Sequence, residues 1–162
     1  MIYRNRKFLR IINESSVFKL KAETISTPVN IMPTIVQVEI NTTSVDSNHA
    51  ERDKHLRGED FLDVSNYPKA QFESTDFKSN GEGGGLLMGN LTLHGATNPV
   101  IIDVQYMGHG SDPWGGYRRG FEGTTRISLE DYGINYNLGP KSREVELMLF
   151  IEGIRQKGQP PS

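Results

Sequence analysis

Cysteine is absent from this 162-residue sequence, which excludes disulfides, a thiol nucleophile and any cysteine-based zinc site. No apolar run approaches the ~18 residues that a membrane-spanning helix needs. The sequence also has no large excess of one charge, since its formal net charge is −2. This near balance gives no electrostatic reason to expect a nucleic-acid partner. Tryptophan occurs once. A soluble chain of this length is expected to form a single domain.

The N-terminus has only part of the pattern of a secretory signal. Arg4, Arg6, Lys7 and Arg10 make its first residues basic, but the apolar stretch 8–12 is short and contains a charge, and no small-residue cleavage site follows. The sequence as given therefore predicts no signal peptide. If the given start is the natural one, the protein is expected in the cytoplasm.

Alternation of apolar and polar residues predicts the strands. It is clear in six segments: residues 35–40, 70–75, 87–93, 100–107, 121–129 and 145–151. A weaker candidate runs from Val17 to Ile25. Turn signals lie between the strands: the glycines of 81–85, the turn from Gly95 to Asn98-Pro99, and a longer loop from Gly108 to Gly116. This spacing predicts an all-β antiparallel barrel or sandwich.

One polar α-helix is predicted near residues 48–58. Asn48 and Glu51 have the spacing of a capping box, in which each side chain accepts a hydrogen bond from the other residue's backbone N–H. Asp53 and Arg57 stand one turn apart as an ion-pair candidate. Almost all other side chains of the segment are polar, so the helix must cover a surface or a rim rather than lie in a core.

The residue patterns of enzymes and metal sites are incomplete. His49 and Glu51 match the start of a zinc-deaminase motif, but the cysteines of that motif are missing. Glu51 and His55 could supply only two metal ligands. His94 and His109 are interpreted as turn residues, with a role of His109 or His94 at a barrel mouth left open. We therefore predict no catalytic residues, no metal site and no cofactor.

Several motifs together resemble one family, in order and spacing. They are residues 44–64 (SVDSNHAERDKHLRGEDFLDV), 67–68 (YP), 71–75 (QFEST), 89–100 (GNLTLHGATNPV), 112–122 (DPWGGYRRGFE), 131–134 (DYGI) and 145–153 (VELMLFIEG). In these motifs, residues 35–156 resemble the YceI-like family of polyisoprenoid-binding proteins with a lipocalin-like barrel. The resemblance does not extend to the first 34 residues.

This resemblance implies an antiparallel lipocalin-like β-barrel of about eight strands at residues 35–155. An atypical segment, 1–34, precedes it and a disordered tail, 156–162, follows. Family barrels have further strands ahead of the one at Val36 to Ile40, where this sequence offers about one candidate, so the barrel is expected to be incomplete there. Three outcomes are open: the N-terminal residues form a strand, two chains pair as a homodimer, or the chain is unstable.

The resemblance also implies a function. Family members hold a long isoprenoid chain, such as a polyprenyl phosphate or a quinone tail, along the barrel axis, without catalysis and with an expected periplasmic location and transient membrane contact. Alternation alone favours a filled core, so a self-associating structural barrel is the alternative. The expected lipid-binding pocket residues are Val38, Ile40, Phe72, Leu91, Leu93, Ile102, Val104, Phe121, Ile127, Leu147 and Leu149.

The turn Asp112 to Gly116 carries the single tryptophan and is assigned to the pocket mouth. The favoured interpretation is a plug, in which the Trp114 indole packs over one barrel end and Asp112 caps the turn. A gate at the mouth is the alternative. Arg118 and Arg119 follow directly and would suit a phosphate head group through charge-assisted hydrogen bonds.

Overall fold

The computed structural model describes residues 7–13, 16–24, 36–111, 113–135 and 143–154, and their side chains from residue 36 to 151. Its strands are β1 Lys7–Asn13, β2 Ser16–Thr24, β3 Gln37–Asp46, β4 Lys69–Ser79, β5 Gly85–Leu93, β6 Ala96–Ser111, β7 Tyr117–Ser128 and β8 Glu144–Ile154. The helix α1 is Ala50–Arg57, and a short 3₁₀ helix spans Leu129–Tyr132.

All neighbouring strands are antiparallel, and they follow one another in chain order around a closed barrel. The predicted all-β lipocalin-like architecture is confirmed. The expected gap at the N-terminus is not present, because β1 and β2 close the ring. Ile11 on β1 lies opposite Leu147 on β8, and Ala22 on β2 lies opposite Ile40 on β3. The first of the three outcomes therefore applies, with two strands rather than one.

The alternation in the sequence matches the two faces of the barrel wall. On β3 to β8 the apolar residues of each alternating pair are buried in the barrel interior, hereafter the lumen, and their neighbours face out. The register shifts at three places: between β2 and β3 at Lys19 to Lys21, on β4 after Ser74 and on β6 after Tyr106. Bulges of this kind bend the strand that carries them.

The two ends of the barrel differ in what covers them. The helix end carries α1, the 3₁₀ helix and the β5–β6 turn, and it is filled by buried side chains of the connecting segments, including Leu56, Phe61 and Leu62. The hairpin end carries the β4–β5 loop and the β6–β7 loop. The Gly108 to Gly116 loop prediction was too long, because β6 continues through Ser111.

The predicted polar helix is confirmed, but its predicted cap is wrong. Helix α1 begins after His49, whose Nδ1 accepts the backbone N–H of Arg52 at 3.3 Å. Asn48 instead has a φ of 60°, and its backbone N–H donates to the Asp46 carboxylate at 2.8 Å. Asparagine tolerates this left-handed conformation better than most residues, so Asn48 turns the chain and leaves capping to His49.

The turn between β5 and β6 is also shorter than predicted. It consists of His94 and Gly95, and Asn98 and Pro99 already belong to β6. Both turn residues have positive φ, 50° and 76°, as a tight two-residue hairpin requires. Among the described residues, no helix is long and apolar enough to cross a membrane.

Candidate functional site

The predicted pocket residues all lie on the lumen face of their strands. Most are buried, whereas Leu93 and Val104 are partly buried and Phe121 is half-buried. Other lumen residues were not in the prediction, among them Thr42, Ala70, Leu87, Val100 and Val145. All of these except Thr42 lie in the alternating segments, so the sequence pattern could have identified them.

A small void lies in the half of the lumen nearest the helix end. Its volume is about 30 Å³, and it is lined by Ile40, Thr42, Phe61, Leu62, Ala70, Leu91, Leu93, Ile127, Leu129, Val145 and Leu147. A void of this size can hold only one or a few water molecules. The void is therefore too small for an isoprene unit unless neighbouring side chains move.

Two glycines on the lumen face allow large side chains to pack closely against the wall. A Cβ on Gly89 would lie 2.5 Å from Cζ of Phe72, and a Cβ on Gly123 would lie 2.9 Å from Cγ2 of Ile102. Both distances are shorter than real carbon contacts. The Phe72 ring and the Ile102 side chain thus occupy space that any other residue at Gly89 or Gly123 would fill.

Among the described residues, the buried polar side chains of the lumen are those of Thr42 and Ser74, and both are hydrogen bonded within the barrel. The Thr42 hydroxyl donates to the Tyr67 carbonyl at 2.7 Å. The Ser74 hydroxyl accepts the backbone N–H of Val36 at 2.7 Å. These hydrogen bonds hold β3 in place against β4 and the segment before it. In the half of the lumen nearest the helix end, the other described side chains that could meet a ligand are apolar.

An aromatic cluster lines the lumen at the hairpin end. Tyr106 stacks with His109 and contacts Phe121, at centroid distances of 5.9 and 5.5 Å, and His109 contacts Tyr117 at 5.6 Å. The Tyr106 hydroxyl is hydrogen bonded to His109 Nδ1. Phe77, which is paired with the buried lumen residue Leu87, is 42% exposed. Lumen-face side chains are thus accessible to solvent at this end, where sequence reasoning had assigned only Trp114, Arg118 and Arg119.

The plug interpretation of Trp114 is wrong. Its side chain is 80% exposed at the tip of the β6–β7 hairpin, with the Arg118 guanidinium 6.0 Å from the ring centroid. Asp112, the predicted cap of this turn, lies outside the described residues. Arg118 and Arg119 face opposite sides of β7. Arg119 has the same parity as Phe121 and Gly123 and therefore belongs to the lumen face.

At the helix end, a network of polar contacts around Ser47 joins α1 to the end of β3. Its backbone N–H and its hydroxyl both donate to Oδ1 of Asp53, at 2.8 and 2.5 Å. Arg52 donates to the Ser47 hydroxyl and carbonyl, and Arg57 donates to the Val45 carbonyl at 2.7 Å. Burial alone would raise the pKa of Asp53, but these Ser47 hydrogen bonds and the two arginine charges outweigh it and lower the pKa below 3.8.

A split in the barrel wall separates parts of β6 and β7. Their pairing runs from Asp103–Thr124 to Ser111–Tyr117, so residues 99–102 and 125–128 do not pair with each other. Pro99, which has no N–H to donate, lies in this stretch. A groove of about 400 Å³ follows the split on the outer surface, and Tyr132 lies at its floor. Sequence alternation gave no sign of this groove, because each strand alternates normally through it.

No group of three or more His, Asp or Glu side chains suited to a metal ion occurs among the residues that the structure describes. His94, interpreted as a turn residue, hydrogen bonds through Nδ1 to the Tyr132 carbonyl at 3.0 Å, and its ring lies 4.7 Å from that of Tyr67. It therefore joins the β5–β6 turn to the 3₁₀ helix.

Curated relatives match most of this chain. UPF0312 proteins of Pseudomonas aeruginosa are 60% identical over 121 residues, and that of Serratia proteamaculans is 57% identical over 122 residues. Each match covers 75% of this chain and 63% of the relative. The chain thus spans less than two thirds of the length of these relatives.

Solved structures share the fold at lower identity. The YceI protein of Campylobacter jejuni and BcnA of Burkholderia cenocepacia both have a TM-score of 0.74 and 18% identity, over 91% of this chain and 85% and 96% of theirs. A polyisoprenoid-binding domain from Saccharophagus degradans, implicated in plant cell wall breakdown, has a TM-score of 0.57 and 15% identity, over 91% of this chain and 93% of that one.

The model of the YceI-like domain matches residues 9–152. The match begins within β1, so the predicted start of the resemblance at residue 35 was too late. The segment bounds 1–34, 35–155 and 156–162 stay predictions, and the last of these segments lies outside the described residues. Taken with the relatives that are more than half identical, the match shows that this chain belongs to the YceI-like family.

Proposed function

We propose that this protein binds a long isoprenoid lipid in its lumen and carries it without catalysis. The observation that carries the proposal is the chemistry of the lumen wall. Its buried side chains, where the structure describes them, are apolar except for Thr42 and Ser74, whose hydroxyls are already hydrogen bonded within the barrel. Membership of the YceI-like family supports it, as does the shared fold of a polyisoprenoid-binding domain.

The size of the hydrophobic effect suits a carrier better than a tight store. Each CH₂ buried from water is worth ~0.8 kcal/mol, so a long isoprenoid tail would gain on the order of tens of kcal/mol against water. In a cell, the tail starts in a membrane, where it is already out of water. Its transfer into the lumen is then close to neutral, and exchange in both directions is feasible. Transport between membranes, with the periplasm as the expected compartment, is therefore the proposed role.

The hairpin end is the proposed entrance. Phe77 and the aromatic cluster of Tyr106 and Phe121 present apolar surface there, whereas the helix end is filled. An eight-stranded barrel is wide enough for side chains or for one slender ligand, but not for both. The tail must therefore displace lumen side chains such as Phe72. Contacts among the lumen side chains would then be replaced by contacts with the ligand, and the strands of the barrel wall would keep their positions.

A phosphate head group, if the lipid has one, would lie at the same end. Arg119 belongs to the lumen face of β7, opposite His109 on β6 and Gly153 on β8. A guanidinium at this position can hold a phosphate through charge-assisted hydrogen bonds. Arg118, on the other face, lies beside the Trp114 indole. We therefore propose Arg119, and not Arg118, as the head-group partner.

Extraction and mass spectrometry of protein purified without detergent from a membrane-containing host tests the proposal. The expected result is one polyprenyl species per chain. Val104→Trp, which adds bulk on the lumen face, should lower the yield of lipid, whereas Ile101→Trp on the outer face should not. Folding of both variants is checked by circular dichroism. Lipid-free wild-type protein with a native spectrum would contradict the proposal.

One observation favours the alternative of a structural, self-associating barrel with a filled core. The void at the helix end holds only about 30 Å³, as a filled core requires. In that case the extract would contain no lipid, Val104→Trp would destabilise the fold, and light scattering would report a mass above that of one chain at all accessible concentrations.

A further inference from the structure

Large exposed apolar side chains gather at one end of this barrel. Of those among the described residues, Phe77 and Leu86 lie on the β4–β5 hairpin and Met107 and Trp114 on the β6–β7 hairpin. These four residues are called the hairpin rim below. Ile101, on the barrel wall, is the remaining one. Apart from Ala50, the exposed side chains of α1 at the opposite end are charged or histidine.

Trp114 lies at the tip of the β6–β7 hairpin. Strand β6 pairs with β5 as far as Val104 and with β7 as far as Ser111, and β7 pairs with β8 as far as Arg118. At about 3.3 Å per residue, β6 extends on the order of 20 Å past its last pair with β5, and Trp114 lies beyond the last pair of β7 with β8. The Trp114 side chain at this tip is 80% exposed and Met107 below it is 61% exposed. Such exposure costs free energy in water that a partner would recover.

The charges on the two hairpins restrict the kind of partner. Lys78, Arg118 and Arg119 are balanced, among the described residues, by Asp76, Glu82 and Glu122. A strongly charged partner, such as a nucleic acid or an acidic peptide, would gain little electrostatic attraction from hairpins whose charges cancel. An indole with an arginine beside it is instead the combination favoured at the boundary between lipid head groups and hydrocarbon.

We propose that the hairpin rim docks on the surface of a lipid bilayer, with the Trp114 indole inserted at the level of the head groups. The proposal rests on the proposed function in one respect, since a carrier must collect its lipid from a membrane. The rim surrounds the end of the lumen where Phe77 and the aromatic cluster are accessible. Docking there places the proposed entrance directly over the membrane, and a ligand need not cross water.

The single tryptophan provides a direct test. Vesicles of phosphatidylcholine without isoprenoid are added to the full chain, and the emission of Trp114 is recorded with and without brominated phospholipid. The expected results are a blue shift and quenching by bromine near the head groups. Because the rim is balanced in charge, binding should change less than twofold when salt is raised. No shift and no quenching would overturn the proposal.

Vesicle flotation of variants identifies the residues responsible. Trp114→Ser and Met107→Ser should each reduce the vesicle-bound fraction, with the partition coefficient falling about tenfold for the indole. Ile101→Ser removes a similarly exposed apolar side chain from the wall and should change nothing. Equal loss in all three variants, or no loss in Trp114→Ser, would overturn the proposal. All three sites are exposed, so unchanged melting temperatures are expected.

Other partners would give different results in the same experiments. A blue shift that grows with protein concentration in the absence of vesicles would mean that a second copy of the chain covers the rim. Binding restricted to vesicles with anionic lipid and abolished by salt would mean simple charge attraction. Either result overturns docking by the indole. The vesicles contain no isoprenoid, so docking can succeed while extraction finds no cargo, and failure of the one is distinguishable from failure of the other.

Discussion

Asp53 on α1 accepts two hydrogen bonds from Ser47, one from the backbone N–H at 2.8 Å and one from the hydroxyl at 2.5 Å. This contact ties the helix to the chain that leaves β3 and so keeps the helix end covered. Both residues are buried. Their separation of six residues makes this a local contact.

We predict that Asp53→Ala lowers the free energy of unfolding by about 1–3 kcal/mol, because the buried donors of Ser47 lose their acceptor. The folded-state pKa of Asp53 is lowered, so its contribution is present in full above the unfolded pKa of about 3.9 and is lost as pH falls through the folded pKa. Thermal melting of both proteins between pH 2.5 and 7 should show a difference that shrinks below pH 4. Asp60→Ala, at an exposed position, is the control, and a pH-independent difference would contradict the prediction.

A second prediction concerns the close contact between Gly89 and Phe72. Gly89→Ala places a Cβ 2.4 Å from the Glu73 carbonyl oxygen and 2.5 Å from the Phe72 ring, so the wall or the ring must move. We expect destabilisation of about 1–3 kcal/mol in a denaturant titration, the usual cost of overpacking. Gly110→Ala is the matched control, since nothing lies within 4 Å of its added Cβ. Equal effects of the two changes would contradict the prediction, because the close contact exists only at Gly89.

Much of the fold could be predicted because strand alternation is a local signal. Strands β3 to β8 and the polar helix followed from the spacing of apolar residues in 35–151. Strand β1 did not, since Lys7–Asn13 is basic and short, and its partner β8 lies more than a hundred residues away. Only its pairing with β8 shows that this segment is a strand that closes the barrel, rather than the start of an incomplete signal peptide.

The site was harder to predict than the fold, since it depends on where hairpins project. The sequence DPWGG predicts a turn, but it does not say whether the Trp114 indole folds back onto the barrel or points away. The length of the β6–β7 hairpin decides where the indole lies. This length in turn depends on Gly108, which lies next to the bulge on β6 and does not end the strand. Similarly, the αL conformation of Asn48 moved the helix cap to His49 by one residue.

The opposite faces of Arg118 and Arg119 give a third prediction. If the bound lipid carries a phosphate, Arg119→Gln should weaken retention of a polyprenyl phosphate several-fold, as expected for one lost charge-assisted hydrogen bond near solvent. Arg118→Gln should leave retention unchanged, because that side chain lies beside Trp114 on the other face of β7. Retention is measured by competition with unlabelled lipid. Equal retention in both variants and the wild type would mean that Arg119 is not the partner of the phosphate.

The buried hydroxyl of Tyr132 gives the last prediction. Tyr132 is 1% exposed, and its hydroxyl makes no hydrogen bond with the residues that the structure describes. Burial and the Asp131 carboxylate raise the pKa of Tyr132, and the nearby Asn98 side chain lowers it in part. The Nδ2 atom of Asn98 donates its own hydrogen bond to the Asp131 carbonyl, at 2.8 Å. The hydroxyl is therefore shielded from water and makes no well-aligned hydrogen bond with the described residues. Tyr132→Phe should raise the free energy of unfolding, by up to about 1–3 kcal/mol, whereas Tyr132→Ala should lower it by about 3–5 kcal/mol through the cavity left behind. A loss of stability in Tyr132→Phe, measured by urea titration, would mean that the hydroxyl has a partner in solution.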